Sequence, residues 1–249
     1  MEEAACHSLN IISISMSCRK KNYIPGGVIL QLAVTLFLLS SFHVKSQTIQ
    51  LSTFKAIRCS GNVQIRYQTG PTSSITFHNL NNERIKYSID NERLTIKGKP
   101  FDQKQPREII TITGSPVYQV RVQKNAIVIL DSLTLADSCK LIAQTAGEIK
   151  ANVNNSFLSI EAMTGSLIQI SGSTQKLQLK CSGSSIVRAR HLIFSNAQLK
   201  VRTKGFVEVK NIGNISGKVS SGGELKIIGD TQPQAVTTST KGKITLSNE

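Results

Sequence analysis

From residue 131 to the C-terminus, glycines recur at positions 147, 165, 183, 205, 223 and 242, separated by 18, 18, 22, 18 and 19 residues. Nearly every one opens the same short pattern: Gly-Glu-Ile-Lys-Ala, Gly-Ser-Leu-Ile-Gln-Ile, Gly-Ser-Ser-Ile-Val-Arg, Gly-Phe-Val-Glu-Val, Gly-Glu-Leu-Lys-Ile and Gly-Lys-Ile-Thr-Leu. Between successive glycines stands a second alternating pair: Leu158 and Ile160, Leu177 and Leu179, Leu199 and Val201, then Ile215 and Val219. Apolar residues at every second position mark half-buried strands, so each repeat carries two. A fixed period near 20 residues with a glycine at the corner suits a coiled β-solenoid, in which a unit buries its apolar face only by stacking on its neighbours. Glycine permits the tight corner where a side chain would clash. The competing architecture is a β-sandwich of hairpins. Against it stand the phase held through six copies and the absence of Asn-Gly and Asp-Gly turns from residues 131–249. The expected fold class is all-β, a parallel β-helix with thin layers of Ile, Leu and Val inside. Aromatics at 5% and the lack of Trp agree with so narrow a core.

Ahead of the repeats the strands are less regular. Val63, Ile65 and Tyr67 alternate, as do Ile75 and Phe77, Ile85, Tyr87 and Ile89, and Leu94 and Ile96. Asp90-Asn91 between Ile89 and Leu94 predicts a hairpin over residues 84–97, because these residues tolerate the left-handed backbone conformation. The polar, proline-containing stretch 98–106 reads as the longest loop and as a seam between subdomains. The expected organisation is residues 1–46 as a signal peptide, 47–115 as an N-terminal β region and 116–249 as the solenoid, the last two forming one continuous domain.

The N-terminal segment carries its own logic. Arg19, Lys20 and Lys21 precede the apolar run from Val28 to Leu39, and small residues follow; this is the layout of a secretory signal peptide, with Val44 and Ser46 at the −3 and −1 positions of a cleavage site. A membrane anchor would need roughly 20 apolar residues, and this run is shorter and broken by Gln31. Met16 opens a more ordinary signal than Met1, so residues 1–15 read as a mis-called start. Cys18 precedes the apolar run, the wrong side for bacterial lipid attachment.

The full chain carries a net charge of +15. Cleavage after Ser46 would remove four basic and two acidic side chains, leaving 26 against 13, a net +13. Such an excess attracts polyanions and is screened by salt. Three cysteines remain, Cys59, Cys139 and Cys181, with no metal-ligand or CxxC spacing. One disulfide with a thiol left over is an option in an oxidising compartment. The strand-like surroundings of Cys139 and Cys181 favour buried thiols acting as small hydrophobes.

Catalytic chemistry finds little to rest on. A glycosidase needs two facing carboxylates, and Glu148 and Glu161, or Glu208 and Glu224, would have to stack on adjacent coils; they read as isolated surface charges. His78 and His191 have no Cys, Asp or Glu in ligand or triad spacing, and no serine lies in a Gly-x-Ser-x-Gly elbow. No metal and no cofactor is expected. Asp131-Ser132-Leu133 fits a short O-glycosylation pattern, and Asn154-Asn155-Ser156 and Asn214-Ile215-Ser216 fit the N-glycosylation pattern; an exported bacterial protein would not meet the second machinery.

The basic residues offer more. Arg188 and Arg190 alternate along one strand, and Lys200, Arg202 and Lys204 along the next. Stacked on neighbouring rungs, the five would make a positive stripe for an acidic polysaccharide, lipopolysaccharide phosphates or extracellular DNA. The competing reading is a solvated face that discourages aggregation. With only Phe194 and Phe206 nearby, base stacking and specific nucleic-acid recognition are not expected.

The order and spacing of these elements resemble one known bacterial family, the "putative auto-transporter adhesin, head GIN domain" family common in Bacteroidetes. The resemblance covers roughly residues 51–246 and is carried by FKAIRCSGNVQIRYQTG, IKYSIDNERLTIKG, REIITITGSPVYQVRVQKNAIV and CSGSSIVRARHLIFSNAQLKVRTKGFVEVKNI. It implies a right-handed parallel β-helix with an irregular β N-terminal part, export to the periplasm or cell surface, no assigned catalytic residues and, by the family's name, adhesion. This chain departs from the family's frequent Gly-Ala and Gly-Ser-Gly corners with Thr-Lys-Gly at 203–205 and 240–242. The function expected is a binding module of the cell envelope whose basic face engages an anionic glycan. The alternatives are a structural or assembly protein whose strand edges pair with a partner or a second copy, and a carbohydrate-active β-helix enzyme using a residue such as Glu148.

Overall fold

The computed structural model describes residues 47–78, 85–102, 104–131, 135–210, 213–229 and 235–247. The segment expected to be a signal peptide lies outside the described residues, as do Ser132 and Leu133 of the O-glycosylation pattern. Among the described residues there is no helix. The described residues form eighteen strands, and in-register parallel pairing, slipped only at single irregularities, dominates from β8 onward.

The repeat forms because each coil has only two apolar rows to bury and finds them a neighbour through backbone pairing. Strands β11 (Glu148–Met163), β12 (Leu167–Cys181) and β13 (Ile186–Val201) each run through one bend and contribute to two facing sheets. Their first halves pair parallel in one sheet, Ile149 opposite Ile168 and Ile168 opposite Val187. That inward column continues through Val207 of β14 (Phe206–Lys210), Leu225 of β16 (Glu224–Ile228) and Ile244 of β18 (Lys243–Ser247). Their second halves make the other sheet, continued by β15 (Asn214–Val219) and β17 (Ala235–Thr238). Inward residues of both sheets are almost completely buried through β16, with Val236, Ile244 and Leu246 of the last coil half-buried, and outward ones are mostly half-buried or exposed.

The corners are more specific than a glycine turn. Two consecutive residues adopt the left-handed conformation at each: Thr145-Ala146, Thr164-Gly165, Gly183-Ser184, Thr203-Lys204, Ser221-Gly222 and Thr240-Lys241. Most of these are not glycine, so the turn is maintained by its neighbours. Its amides bond to the stacked turn of the next coil, as in Ala146 N–H to Thr164 O at 3.1 Å and Ser184 N–H to Thr203 O at 3.1 Å. The glycines at 147, 205, 223 and 242 follow the pair, and their requirement is space. A Cβ on Gly147 would lie 2.5 Å from the carbonyl oxygen of Val122, and one on Gly205 2.7 Å from that of Cys181. The sequence reading therefore combined two kinds of glycine. Gly165 and Gly183 belong to the left-handed pair itself, and at those corners the following position holds Ser166 and Ser185, buried and 3.2 Å apart through their hydroxyls.

The N-terminal half obeys the same pairing but in a different order. Strands β2 (Ala56–Ser60) and β3 (Val63–Thr69) form a coil placed between β6 (Arg93–Gly98) with β7 (Glu108–Gly114) on one side and β8 (Val117–Gln123) with β9 (Ile127–Leu130) on the other. After β7 the chain crosses back over that coil at Ser115-Pro116. Tyr67 holds the crossing: its hydroxyl donates to the Ser115 carbonyl at 2.5 Å, and its ring meets Phe54 edge-on at 6.1 Å. Strand β10 (Leu135–Gln144) then follows β8 in the stack. At the N-terminal end the sheets finish in antiparallel strands, β5 (Ile85–Asp90) on β6, and β4 (Ser74–Phe77) on β7 with β1 (Gln47–Gln50) beyond it. The hairpin is present with its turn one residue later than expected, at Asn91-Glu92, both left-handed. Residues 99–102 and 104–106 of the expected loop lie between β6 and β7, which pair with β2 and β3 of one coil.

The two types of glycine give a test. Gly147→Ala forces a backbone clash and should cost about 1–3 kcal/mol in urea unfolding followed by circular dichroism. Gly165→Ala meets open space and should cost only about 1 kcal/mol for the left-handed conformation. Equal losses would show that spacing between coils is not what Gly147 provides.

Candidate functional site

Strict register lets the outward residues be read as columns running along the stack, with neighbours roughly 4.8 Å apart. On the sheet built from the second halves of the coils, one column reads Thr95, Arg58, Arg121, Ile142, Glu161, Lys180, Lys200, Lys218 and Thr237. Three consecutive lysines, 180, 200 and 218, stand directly opposite one another. Glu161 precedes them, 2.9 Å from Lys140 and 3.8 Å from Lys180. Like charges facing each other across a strand pair are destabilising, and among the described residues Lys200 and Lys218 have no acidic partner. Arg202, one position past the strand, lines a cavity of about 270 Å³ together with Glu161, Lys180 and Lys200.

The opposite sheet handles charge differently. Its equivalent column reads Arg66, Ile129, Lys150, Gln169, Arg188, Glu208, Lys226 and Thr245. Here no two basic residues are neighbours: Ile129 and Gln169 separate Arg66, Lys150 and Arg188, and Glu208 stands between Arg188 and Lys226, 3.1 Å from the latter; Lys150 pairs along its own strand with Glu148 at 3.1 Å. Arg188 stands next to Glu208 in register. The pairing of β12 with β13 slips between Gln169 and Ser171, so Ala189 and Arg190 face the single residue Ile170. This bulge turns both Arg190 and His191 outward, over a concavity of about 410 Å³ that also contains Lys150, Arg188 and an Ile129–Ile170 floor.

The five basic residues singled out from the sequence are thus divided. Arg188 and Arg190 lie on one sheet, Lys200 on the other, Arg202 just past the end of its strand and Lys204 in the left-handed turn beyond, its amide bonded to Ser221 O at 3.2 Å. All five belong to the same coil and its corner rather than to stacked rungs. The expected single stripe is replaced by a lysine ladder in which Lys200 is flanked by Lys180 and Lys218, which the sequence reading passed over. Their separations of 20 and 18 residues, one repeat each, were the available signal.

Other candidates resolve individually. Glu148 and Glu161 sit on opposite sheets of one strand, and Glu224 accepts from Thr245 Oγ1 at 3.3 Å; none of Glu148, Glu161, Glu208 and Glu224 faces a second carboxylate. His78 contacts Thr111 Oγ1 through Nε2 at 2.7 Å. Among the described residues no three His, Cys, Asp or Glu side chains converge as a metal site would require. Cys59, Cys139 and Cys181 are free and buried. Cys59 and Cys181 occupy one inward column with Val122, Ala143 and Ala162 between them. Four steps separate them, roughly 19 Å at that spacing, far beyond disulfide reach. Burial pushes the Cys139 and Cys181 thiols up to about 12 and raises that of Cys59 as well. At the bend, Asn154, Asn155, Ser156, Ser173 and Thr174 line a polar concavity of about 930 Å³.

The family described as "Putative auto-transporter adhesin, head GIN domain" matches residues 53–231. The chain belongs to this family. Among solved structures it is similar to a "putative adhesin" from Bacteroides fragilis, at 14% identity and a TM-score of 0.64, covering 83% of this chain and 98% of that one. It is also similar to one from Parabacteroides merdae, at 16% identity and a TM-score of 0.60, covering 82% and 95%. A "putative lipid binding protein" from Parabacteroides distasonis matches at 12% identity and a TM-score of 0.57, covering 82% and 94%. At these identities the likenesses establish the fold alone and leave the ligand to the surface chemistry. No curated protein matches the chain. Among the described residues no helix is long and apolar enough to cross a membrane.

Buried, unionised thiols are poor nucleophiles. Alkylation with iodoacetamide at pH 8, mapped by mass spectrometry, should label Cys59, Cys139 and Cys181 only after denaturation. Labelling of any of them in the folded protein would contradict their place in the inward columns.

Proposed function

We propose that this head GIN protein is an exported, non-enzymatic binding module of the periplasm or cell surface that engages an anionic polysaccharide or lipopolysaccharide through its lysine-bearing sheet. The observation that carries the reading is the in-register column Lys180–Lys200–Lys218, extended by Arg202, in contrast to the equivalent column on the other sheet, where neutral residues or Glu208 separate every pair of basic side chains. A surface meant only to stay solvated gains nothing by facing three lysines across neighbouring strands. A polyanion lying along the stack would neutralise all three, one per coil, without a change in the fold. The adhesin description of the family favours binding over catalysis, and each of Glu148, Glu161, Glu208 and Glu224 already has a hydrogen-bond or ion-pair partner.

The test is binding to acidic and neutral polysaccharides and to lipopolysaccharide at two salt concentrations. Each basic side chain near an anionic surface contributes about 1 kcal/mol. Replacing Lys180, Lys200 and Lys218 together with Gln should therefore weaken binding to the preferred polyanion roughly 100-fold and flatten its salt dependence. Charge reversal at Arg188 and Arg190, on the other sheet, should leave it unchanged. Equal losses from both variants would mean that net charge alone attracts the polymer.

A further inference from the structure

The out-of-order N-terminal coil brings together a second group of cations whose chemistry differs from that of the ladder. Strand β2 lies between β6 and β8, which places Arg58 directly opposite Arg121 and puts Arg93 at the near end of the adjoining strand. These residues come from segments well separated in sequence, so their meeting is not a by-product of the repeat. Arg58, Arg93 and Arg121, with Gln119 and Ile57, line one concavity of about 170 Å³.

Their partners do not account for them. Arg58 donates from Nη2 to Gln123 Oε1 at 3.3 Å, which leaves most of its five N–H groups unused. Among the described residues none of the three guanidinium groups forms an ion pair with a carboxylate. The neighbouring acid Glu92 is engaged by Lys55 at 2.8 Å, and Ile142 follows Arg121 in the column. Two guanidinium groups facing each other in register repel unless an anion lies between them.

We propose that Arg58, Arg93 and Arg121 form a binding site for a single tetrahedral oxyanion, a phosphate or sulfate group, with Gln119 contributing a neutral amide. Arginine suits this task better than lysine because its planar fork offers two parallel donors to a pair of phosphate or sulfate oxygens. The lysine ladder offers point charges suited to a polymer that slides. The arginine group offers directed donors that converge on one small concavity. This inference stands independently of the polyanion reading for the ladder, since it rests on other residues and other geometry.

The experiment is isothermal titration of the full protein with inorganic phosphate, inorganic sulfate, acetate and glycerol phosphate at fixed ionic strength. Saturable one-to-one binding of phosphate or sulfate, with acetate at least tenfold weaker, is the expected result. Arg58→Gln and Arg121→Gln should each weaken it at least tenfold and Arg93→Gln by a smaller factor, while the ladder variant Lys200→Gln leaves it unchanged. All of these side chains are on the outer face, and a far-ultraviolet spectrum of each variant confirms that loss of binding is not loss of fold. Glycerol phosphate binding as tightly as inorganic phosphate would identify an ester-borne group as the ligand; a marked preference for the inorganic ion would identify the free anion. No saturable binding, or equal losses from Lys200→Gln and Arg58→Gln, overturns the proposal. A failed ladder with intact phosphate binding would overturn only the polyanion reading.

Discussion

The structure depends on one constraint: successive coils pair parallel and in register, so that a residue and its counterpart one repeat later stand roughly 4.8 Å apart on the same face. Everything else in the molecule answers to that spacing. Inward columns must hold side chains that fit above and below their own kind, which is why Ile, Val and Leu fill the column through Ile149 and Ala, Cys and Val follow one another from Cys59 to Val201 in another. Corners must let two turns approach within hydrogen-bond distance, which explains left-handed residues such as Thr145 and Thr203 despite their local cost. The glycines that follow them, 147 and 205, are there because a carbonyl of the preceding coil occupies the place of a side chain.

Register also decides what the surface does with charge. A charge repeated at the same place in successive coils must face itself, so a solenoid either alternates signs along a column or tolerates repulsion. One sheet avoids the repulsion, with neutral Ile129 and Gln169 between its basic residues and Glu208 between Arg188 and Lys226. The other keeps three lysines in line and, nearer the N-terminus, two arginines in line. Repulsion that the fold could have removed by a single acidic substitution is retained at both places, and an anion outside the chain is the simplest physical counterpart.

Much of this was legible in the sequence. The period, the two strands per repeat and the inward positions follow from alternation alone, and each predicted inward residue from Leu158 to Val219 is buried. Two things were not legible, for distinct reasons. Strands such as β2, β6 and β8 carry equivalent alternation, so nothing local says that the first coil ends up between the second and third; that order is settled by long-range pairing and by the Tyr67 crossing. The basic residues were misplaced because each alternating run was counted as its own rung. A coil contains two runs joined by a bend, so Arg188 and Lys200 fall on opposite sheets, and the true neighbours of Lys200 lie a full repeat away at Lys180 and Lys218. Reading columns at the repeat spacing, rather than runs along the strand, recovers both the ladder and the ion pairs opposite.

The most direct test of the in-register account is the stability of Lys200→Glu, measured by urea unfolding at low and high salt. If Lys200 stands between Lys180 and Lys218, the substitution exchanges two repulsive contacts for two attractive ones. The protein should then become more stable by about 0.5–1 kcal/mol at low salt, with the gain fading as salt screens the charges. A variant that is destabilised, or whose stability change ignores salt, would contradict the stacking of these lysines and with it the account of the surface.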